Sequence, residues 1–269
     1  MNATVKPYEV LAVRMGTRQS AKSDVFLNFG LYQVPDAPVH VDYYFWVLRN
    51  DDRVLVVDTG FSETGGTRRG RSTLIPPAEA LQRLGIDPAT VSGLVLTHGH
   101  YDHIGNIDLF SNSQIFMAAA EYEFWTSPIA ERRQFSYYSE EREVQLLREA
   151  QEQGRLHLFE GESVPAPGVR LSQVGGHTPG QAMVYVESHR GTVLLASDAL
   201  HFYEELDQDM PFTAICDLPD MYRAFDRIRS EAGAAFDVLI AGHDRRVLEE
   251  YPACGELPEG TGVVISASG

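Results

Sequence analysis

The 269-residue sequence predicts a layered α/β fold. Three observations carry that expectation. Strand-like and helix-like segments alternate along the chain, no low-complexity tract or long linker divides it, and the second half echoes the strand pattern of the first. Residues 1–269 are accordingly read as one domain.

The elements follow in order. Residues 43–48 and 53–58 are apolar runs joined by the polar turn Arg49-Asn50-Asp51-Asp52, which is the pattern of paired strands. Residues 77–84 form a short helix, opened by proline and stopped by Gly85. Residues 93–97 make a short buried strand, and 140–153 a polar helix ended by Gly154. A strand at 169–174 runs into a glycine-bracketed loop. Strands 183–187 and 192–198 then pair around His189-Arg190-Gly191. An amphipathic helix covers 220–232, ended by Gly233, and a buried strand covers 237–241. Within this series, Val193-Leu194-Leu195-Ala196-Ser197-Asp198 echoes Val54-Leu55-Val56-Val57-Asp58. Likewise Val238-Leu239-Ile240-Ala241-Gly242-His243 echoes Leu94-Val95-Leu96-Thr97-His98. Two strand sets that each end in a polar residue imply two sheets whose polar ends share one edge.

Composition narrows the classes. Apolar residues at 43% supply a sizeable core, and no apolar run reaches the 18 residues of a membrane span. A formal charge of −16 repels phosphate backbones and anionic lipid, so neither nucleic acid nor membrane is an expected partner. Residues 1–13 lack a basic segment followed by an apolar one, and Cys216 and Cys254 have no paired spacing. Both features fit the reducing cytoplasm.

The chemistry concentrates in Thr97-His98-Gly99-His100-Tyr101-Asp102-His103, where four potential metal ligands fall within six residues after an apolar strand. Histidines two apart in extended backbone point the same way, so His98 and His100 can share one ion. Asp102 and His103 lie where the chain turns and can face a second. Gly99 and Gly105 permit close backbone approach and a sharp turn. Three further residues stand at strand ends in positions to complete the set. His177 lies in Gly175-Gly176-His177-Thr178-Pro179-Gly180, Asp198 ends an apolar strand where an unpaired carboxylate is costly, and His243 follows a buried strand.

With these residues in place the sequence resembles the metallo-β-lactamase superfamily, whose pattern is His-x-His-x-Asp-His followed by His, Asp and His. All seven positions are present. Asp58, in Val-Asp58-Thr-Gly, matches a further position that supports a ligand histidine or the adjacent turn. The resemblance implies an αββα sandwich of two mixed β-sheets flanked by helices. It also implies one cation on His98, His100 and His177 and another on Asp102, His103 and His243, with Asp198 bridging. Two divalent ions are expected, zinc first, with iron, manganese or cobalt compatible with the same ligands. The Gly-His-Thr-Pro-Gly loop, Ser197-Asp198-Ala199 and Ala241-Gly242-His243-Asp244 resemble the N-acyl-homoserine lactonase branch. That branch implies quorum quenching by attack of a metal-bridging hydroxide on a small-molecule lactone, with Asp102 or Asp198 passing the proton to the leaving alkoxide. It also implies a possible homodimer paired through residues 15–29.

One position departs from that branch. Its members place a tyrosine three residues after the bridging aspartate, where this chain has His201, followed by Phe202 and Tyr203. Either His201 donates the hydrogen bond to the lactone carbonyl, or Tyr203 reaches in from a shifted loop, against the alternative that His201 is a surface histidine. Phe26, Phe29, Tyr43, Phe45, Trp46, Phe202, Tyr203 and Phe212 are candidate apolar lining, against their alternative as core. Arg68, Arg69 and Arg71 are candidates to meet a substrate carboxylate or amide oxygen, against a solvated basic loop. Two other functions compete with the lactonase: hydrolysis of a different lactone, ester or thioester, as in the glyoxalase II branch, and a metal-bound sensor without turnover.

Overall fold

The computed structural model describes residues 5–268. In chain order its strands are β1 (Glu9–Ala21), β2 (Pro38–Asn50), β3 (Arg53–Val57), β4 (Ser72–Thr73), β5 (Gly93–Val95), β6 (Gln114–Ala118) and β7 (Leu156–Phe159). They continue with β8 (Glu162–Ala166), β9 (Val169–Gln173), β10 (Ala182–Ser188), β11 (Gly191–Ser197), β12 (Val238–Ala241) and β13 (Gly262–Ser266). One sheet runs β13-β1-β2-β3-β5-β6-β7, with β4 paired to β1; the other runs β12-β11-β10-β9-β8. Both are mixed. β3, β5, β6 and β7 are parallel while β1, β2 and β3 are antiparallel, and β12 joins an otherwise antiparallel second sheet in parallel.

The period-2 alternation of side chains on the first sheet explains the layering. Leu11, Val13 and Met15 of β1, with Val41, Tyr43, Phe45 and Val47 of β2, enter a core shared with Ala80 and Leu81 of helix Pro77–Arg83 and Leu147 of helix Glu141–Glu152. Their neighbours Val10, Ala12, Tyr44, Trp46 and Leu48 point the other way, against Val184, Val186, Val193, Leu195 and Ile240 of the second sheet. That sheet's outer face, with Met183, Tyr185, Leu194 and Ala196, is covered by Met221, Ala224, Phe225 and Ile228 of helix Leu218–Glu231. Three apolar interfaces therefore separate four layers, helix, sheet, sheet and helix, as the resemblance implied.

The internal echo has a structural counterpart. Leu55, Val56 and Val57 of β3 pair in parallel with Gly93, Leu94 and Val95 of β5. Val193, Leu194 and Leu195 of β11 pair in parallel with Val238, Leu239 and Ile240 of β12. Each pair ends in a residue of left-handed backbone, Asp58 at φ 60° and Ser197 at φ 47°. A non-glycine residue in this region persists only where its surroundings hold it. Here the Thr97 hydroxyl lies 2.8 Å from both Asp58 Oδ2 and Ser197 Oγ, joining the two sheets beneath the site.

Several expectations shift. The hairpin strands extend to Pro38 and Asn50, and the turn narrows to Asp51-Asp52, held by Asn50 Oδ1 accepting the N–H groups of Asp52 and Arg53. Within residues 15–29 the chain stays in β1 as far as Ala21, with Met15 and Phe26 buried. No helix among the described residues is long and apolar enough to cross a membrane, and both cysteines are free thiols.

Candidate metal centre

Four strand ends deliver the site. Beyond β5 the chain reaches His98, then His100 in extended backbone (φ −72°, ψ 152°), which caps the short helix Tyr101–Ile104 carrying Asp102 and His103. Gly99 is required here, because a Cβ would sit 2.3 Å from the Trp125 indole. A Cβ on Gly105 would strike the backbone at Ser62. His177 follows β9, Asp198 follows β11 and His243 follows β12. All seven are buried.

They gather into two sets whose ligand atoms all lie within 4.8 Å of one another: His98, His100, His177 and Asp198, and beside them Asp102, His103 and His243. Asp198 faces both. Its Oδ2 lies 3.2 Å from His177 Nε2 and 3.8 Å from His98 Nε2, its Oδ1 lies 3.3 Å from His103 Nε2, and His243 Nε2 is 3.2 Å from both oxygens. His177 Nε2 and His100 Nδ1 approach to 2.8 Å. Asp102 Oδ2 stands 3.9 Å from His103 Nε2 and 4.0 Å from His243 Nε2.

The far sides of the rings explain which nitrogens point inward. His103 Nδ1 donates to Asp58 Oδ2 (2.8 Å), His177 Nδ1 to the Ala214 carbonyl (2.7 Å) and His243 Nδ1 to the Asp42 carbonyl (2.7 Å). Each bond fixes a tautomer that leaves the Nε2 lone pair facing the cluster. Asp42 is itself locked, its carboxylate taking Arg14 Nη2 at 2.7 Å and Arg245 Nε at 3.3 Å.

Electrostatics divides the histidines. Burial holds His98 and His100 well below the ordinary imidazole value and pushes His177 down to about 3. His103 is opposite in sign: burial opposes its charge, but Asp198, Asp58 and Asp102 outweigh it and draw it well upward. Burial likewise opposes charge on Asp198, and His243, His103, His201 and His98 around it hold it well below the usual carboxylate range. The cluster thus sets neutral imidazoles at His98, His100 and His177 around carboxylates that call for positive charge, which they draw onto His103. His98 Nε2 and His103 Nε2 are sealed from solvent without an aligned hydrogen-bond partner. Buried ring nitrogens left without a partner are costly, and a bound cation in place of a proton would satisfy both. The donor set is imidazole and carboxylate throughout, and it fits two divalent ions.

Of the two candidates for the carbonyl contact, the structure places His201 at the site. Its Nε2 lies 3.1 Å from Asp198 Oδ2, and its ring stacks on Phe212 at 4.0 Å. Burial disfavours its charge, yet Asp198 and Glu205 raise it to about 9. Tyr203 is a correction. Its hydroxyl donates to the Leu239 carbonyl at 3.0 Å, and the ring packs in the apolar layers away from the cleft. The helix Tyr203–Gln208 starts at this residue and turns it outward.

The cleft over the cluster has a volume of about 170 Å³ and is lined by Tyr43 and Phe212 among the expected aromatics. Phe26, Phe45, Trp46 and Phe202 are core instead, and Phe29 packs partly buried against it. The three expected arginines separate. Arg71 lines the cleft, and Arg68 is on the surface beside Glu140. Arg69 is buried, paired with Glu140 at 2.6 Å and stacked 3.9 Å over Tyr101.

Two positioning carboxylates escaped the sequence reading. The fully buried Glu121 accepts the Gly99 N–H at 2.7 Å and the Trp125 indole N–H with one oxygen, and the Gly180 N–H at 2.8 Å with the other. It thereby ties the His98–His100 loop to the His177 loop. Burial raises its value above that of an ordinary glutamate, against these bonds. Gly180 leaves no room for a Cβ, which would lie 2.4 Å from Glu121 N. Glu205 accepts the N–H groups of His201, Phe202 and Phe212, holding the stacked pair. Glu121 works through the backbone of Gly99 and Gly180, remote in sequence, whereas Glu205 works through N–H groups three to seven residues away.

Comparison with known proteins agrees with this geometry. The profile described as the metallo-beta-lactamase superfamily matches residues 41–247. The N-acyl homoserine lactonase AiiA of Bacillus thuringiensis subsp. kurstaki is 24% identical over 240 residues, 84% of this chain and 89% of that protein. Among solved structures, a quorum-quenching N-acyl homoserine lactone lactonase superposes with a TM-score of 0.76 at 21% identity, over 92% of this chain and 97% of the other. An N-acyl homoserine lactone hydrolase with the product N-hexanoyl-L-homoserine at its catalytic metal centre gives 0.74 at 20% identity, over 92% and 98%.

Proposed function

The chain belongs to the metallo-beta-lactamase superfamily, and on that premise we propose that it is a metal-dependent hydrolase that opens a small lactone ring, with N-acyl homoserine lactones as the substrate class and quorum quenching as the consequence. The observation that carries this reading is the place of Asp198 between the two sets, Oδ2 beside His98 and His177, Oδ1 beside His103, and His243 Nε2 at 3.2 Å from each oxygen. A carboxylate so shared is the bridging ligand of a pair. His98, His100 and His177 would hold one ion and Asp102, His103 and His243 the other. Zinc is the ion proposed, in a cytoplasmic protein. Bound there, two ions would polarise the ester carbonyl and ionise a water near neutral pH.

The chain's own groups supply the rest. Asp102, at the floor of the cleft, takes a proton from the attacking water and delivers it to the ring oxygen as the C–O bond breaks, leaving a hydroxy acid. His201 Nε2–H faces the cleft beside Asp198 and donates to the carbonyl oxygen as negative charge gathers there. Asp198 stays in place as the shared ligand.

Ring opening releases acid. A panel of lactones and thioesters in weak buffer should show a pH fall with lactones that disappears in Asp102→Asn. Acid release from thioesters alone would move the assignment to a different ester, and unchanged turnover in Asp102→Asn would overturn the proton path.

A further inference from the structure

The rim of the cleft carries two guanidinium groups, Arg18 and Arg71, on opposite sides of Tyr43 in the chain's layout: one on β1, the other just beyond helix Glu63–Arg68. Their treatment differs from that of neighbouring arginines. Arg14 on β1 is paired with Asp42 at 2.7 Å, and Arg69 with Glu140 at 2.6 Å. Arg71 instead gives its Nε–H to the Tyr101 hydroxyl at 2.9 Å and an Nη1–H to the Arg69 carbonyl at 2.7 Å, both neutral acceptors. Arg18 Nε is sealed from solvent without any partner. Among the described residues no carboxylate lies within 4.0 Å of either head group, and Asp24, also at the rim, is exposed.

Partly burying a guanidinium without a directly paired carboxylate is unfavourable; Asp102, in the same cleft, acts on Arg71 only at longer range, and neither head group is paired in a protein with sixteen excess acidic charges. A neutral amide oxygen would accept hydrogen bonds from such a pair but leave its charge unanswered. A carboxylate matches the planar fork of guanidinium in two parallel bonds.

We infer that Arg18 and Arg71 form a recognition site for a carboxylate on the substrate, distal to the ester, so that this enzyme acts on anionic rather than neutral lactones. The inference rests on the hydrolase reading for the orientation of that substrate, the ester at the histidine cluster and the carboxylate at the rim. Arg71 is pre-positioned by Tyr101, and the anion meets the part-exposed end of the Arg18 guanidinium at the rim.

Two measurements on the metal-loaded protein test this. The first is calorimetric binding of glutarate against glutaramate, which share one carboxylate and differ only in whether the far end is charged. Glutarate should bind at least ten-fold tighter, and in Arg18→Gln the two should bind within about two-fold of each other. Equal binding in the unaltered protein, or a preference that survives Arg18→Gln in a variant of unchanged melting temperature, overturns the inference. The second is hydrolysis of N-succinyl-homoserine lactone against its terminal carboxamide, with kcat/KM favouring the acid at least ten-fold and mainly through KM. Opening of both at equal rates contradicts the anion site and keeps the lactonase. A glutarate preference with neither lactone opened keeps the anion site and contradicts the lactonase.

Discussion

The Asp58 carboxylate accepts the Nδ1–H of His103 at 2.8 Å, deep beneath the cluster and without exposure to solvent. The same carboxylate holds the Thr97 N–H and hydroxyl, each at 2.8 Å. One side chain thus sets the tautomer of a ligand and the start of the loop that carries three others.

Asp58→Asn keeps the left-handed backbone accessible but replaces the acceptor facing His103 by an amide. Outer partners of this kind are worth about 10–100-fold in metal affinity. The variant should fold, and competition with a chelating dye should show one of two ions bound about 10–100-fold more weakly. Unchanged affinity for both would remove Asp58 from the ligand support.

Glu121 gives a complementary prediction. In Glu121→Gln the side-chain amide NH₂ must face a backbone N–H, either of Gly99 or of Gly180, leaving donors opposed in a buried place. That is expected to cost about 1–3 kcal/mol in chemical denaturation, together with weaker metal retention, because the two ligand loops are no longer tied. A denaturation midpoint equal to that of the parent would show that the tie carries no weight.

His201 and Tyr203 separate cleanly. His201→Phe keeps the stack on Phe212 but removes the donor, and steady-state kinetics should show kcat lowered by about 10²-fold with both metal ions retained. Tyr203→Phe loses the bond to the Leu239 carbonyl and the longer one from the Ala241 N–H at 3.4 Å, about 1–2 kcal/mol of stability, and should leave turnover within two-fold of the parent. The reverse pattern would restore Tyr203 to the cleft.

Glu143 predicts a pH dependence of stability. Burial raises its carboxyl from the ordinary 4.5 to about 7, against the hydrogen bond from Ser62 at 2.8 Å. Between these values the folded protein keeps a proton that the unfolded chain has released, so stability falls as pH rises from 4.5 to 7 and the penalty is complete above 7. Glu143→Gln lacks this ionisation. It should match the parent near pH 4.5 and exceed it above pH 7, by on the order of 3 kcal/mol. Melting curves of both proteins across that range check it, and parallel curves would contradict it.

What the sequence made legible follows from where the information sits. The seven clustered residues stand at strand ends flanked by apolar runs and glycines, a local pattern that survives without coordinates, and the parallel pairs β3–β5 and β11–β12 lie under the two echoed runs. Strand β1 was missed because its Arg14, Gly16 and Arg18 break the apolar run. Those residues serve Asp42, the close approach of Phe61 and the cleft rim, none of which a local pattern reveals. Tyr203 was open in sequence because a single helix start decides whether it points in or out. Glu121 was invisible because the Gly99 and Gly180 N–H groups meet it only in the fold, and Glu205 because its partners, though local, are backbone N–H groups that leave no residue-type pattern.

The central claim is a pair of cations shared by Asp198, and metal content after exhaustive dialysis against metal-free buffer tests it most directly. The parent protein should retain two equivalents of divalent metal per chain, and a variant lacking both Asp102 and His243 side chains should retain one. A parent with one equivalent or none, or a doubly substituted variant that still holds two, would contradict the account.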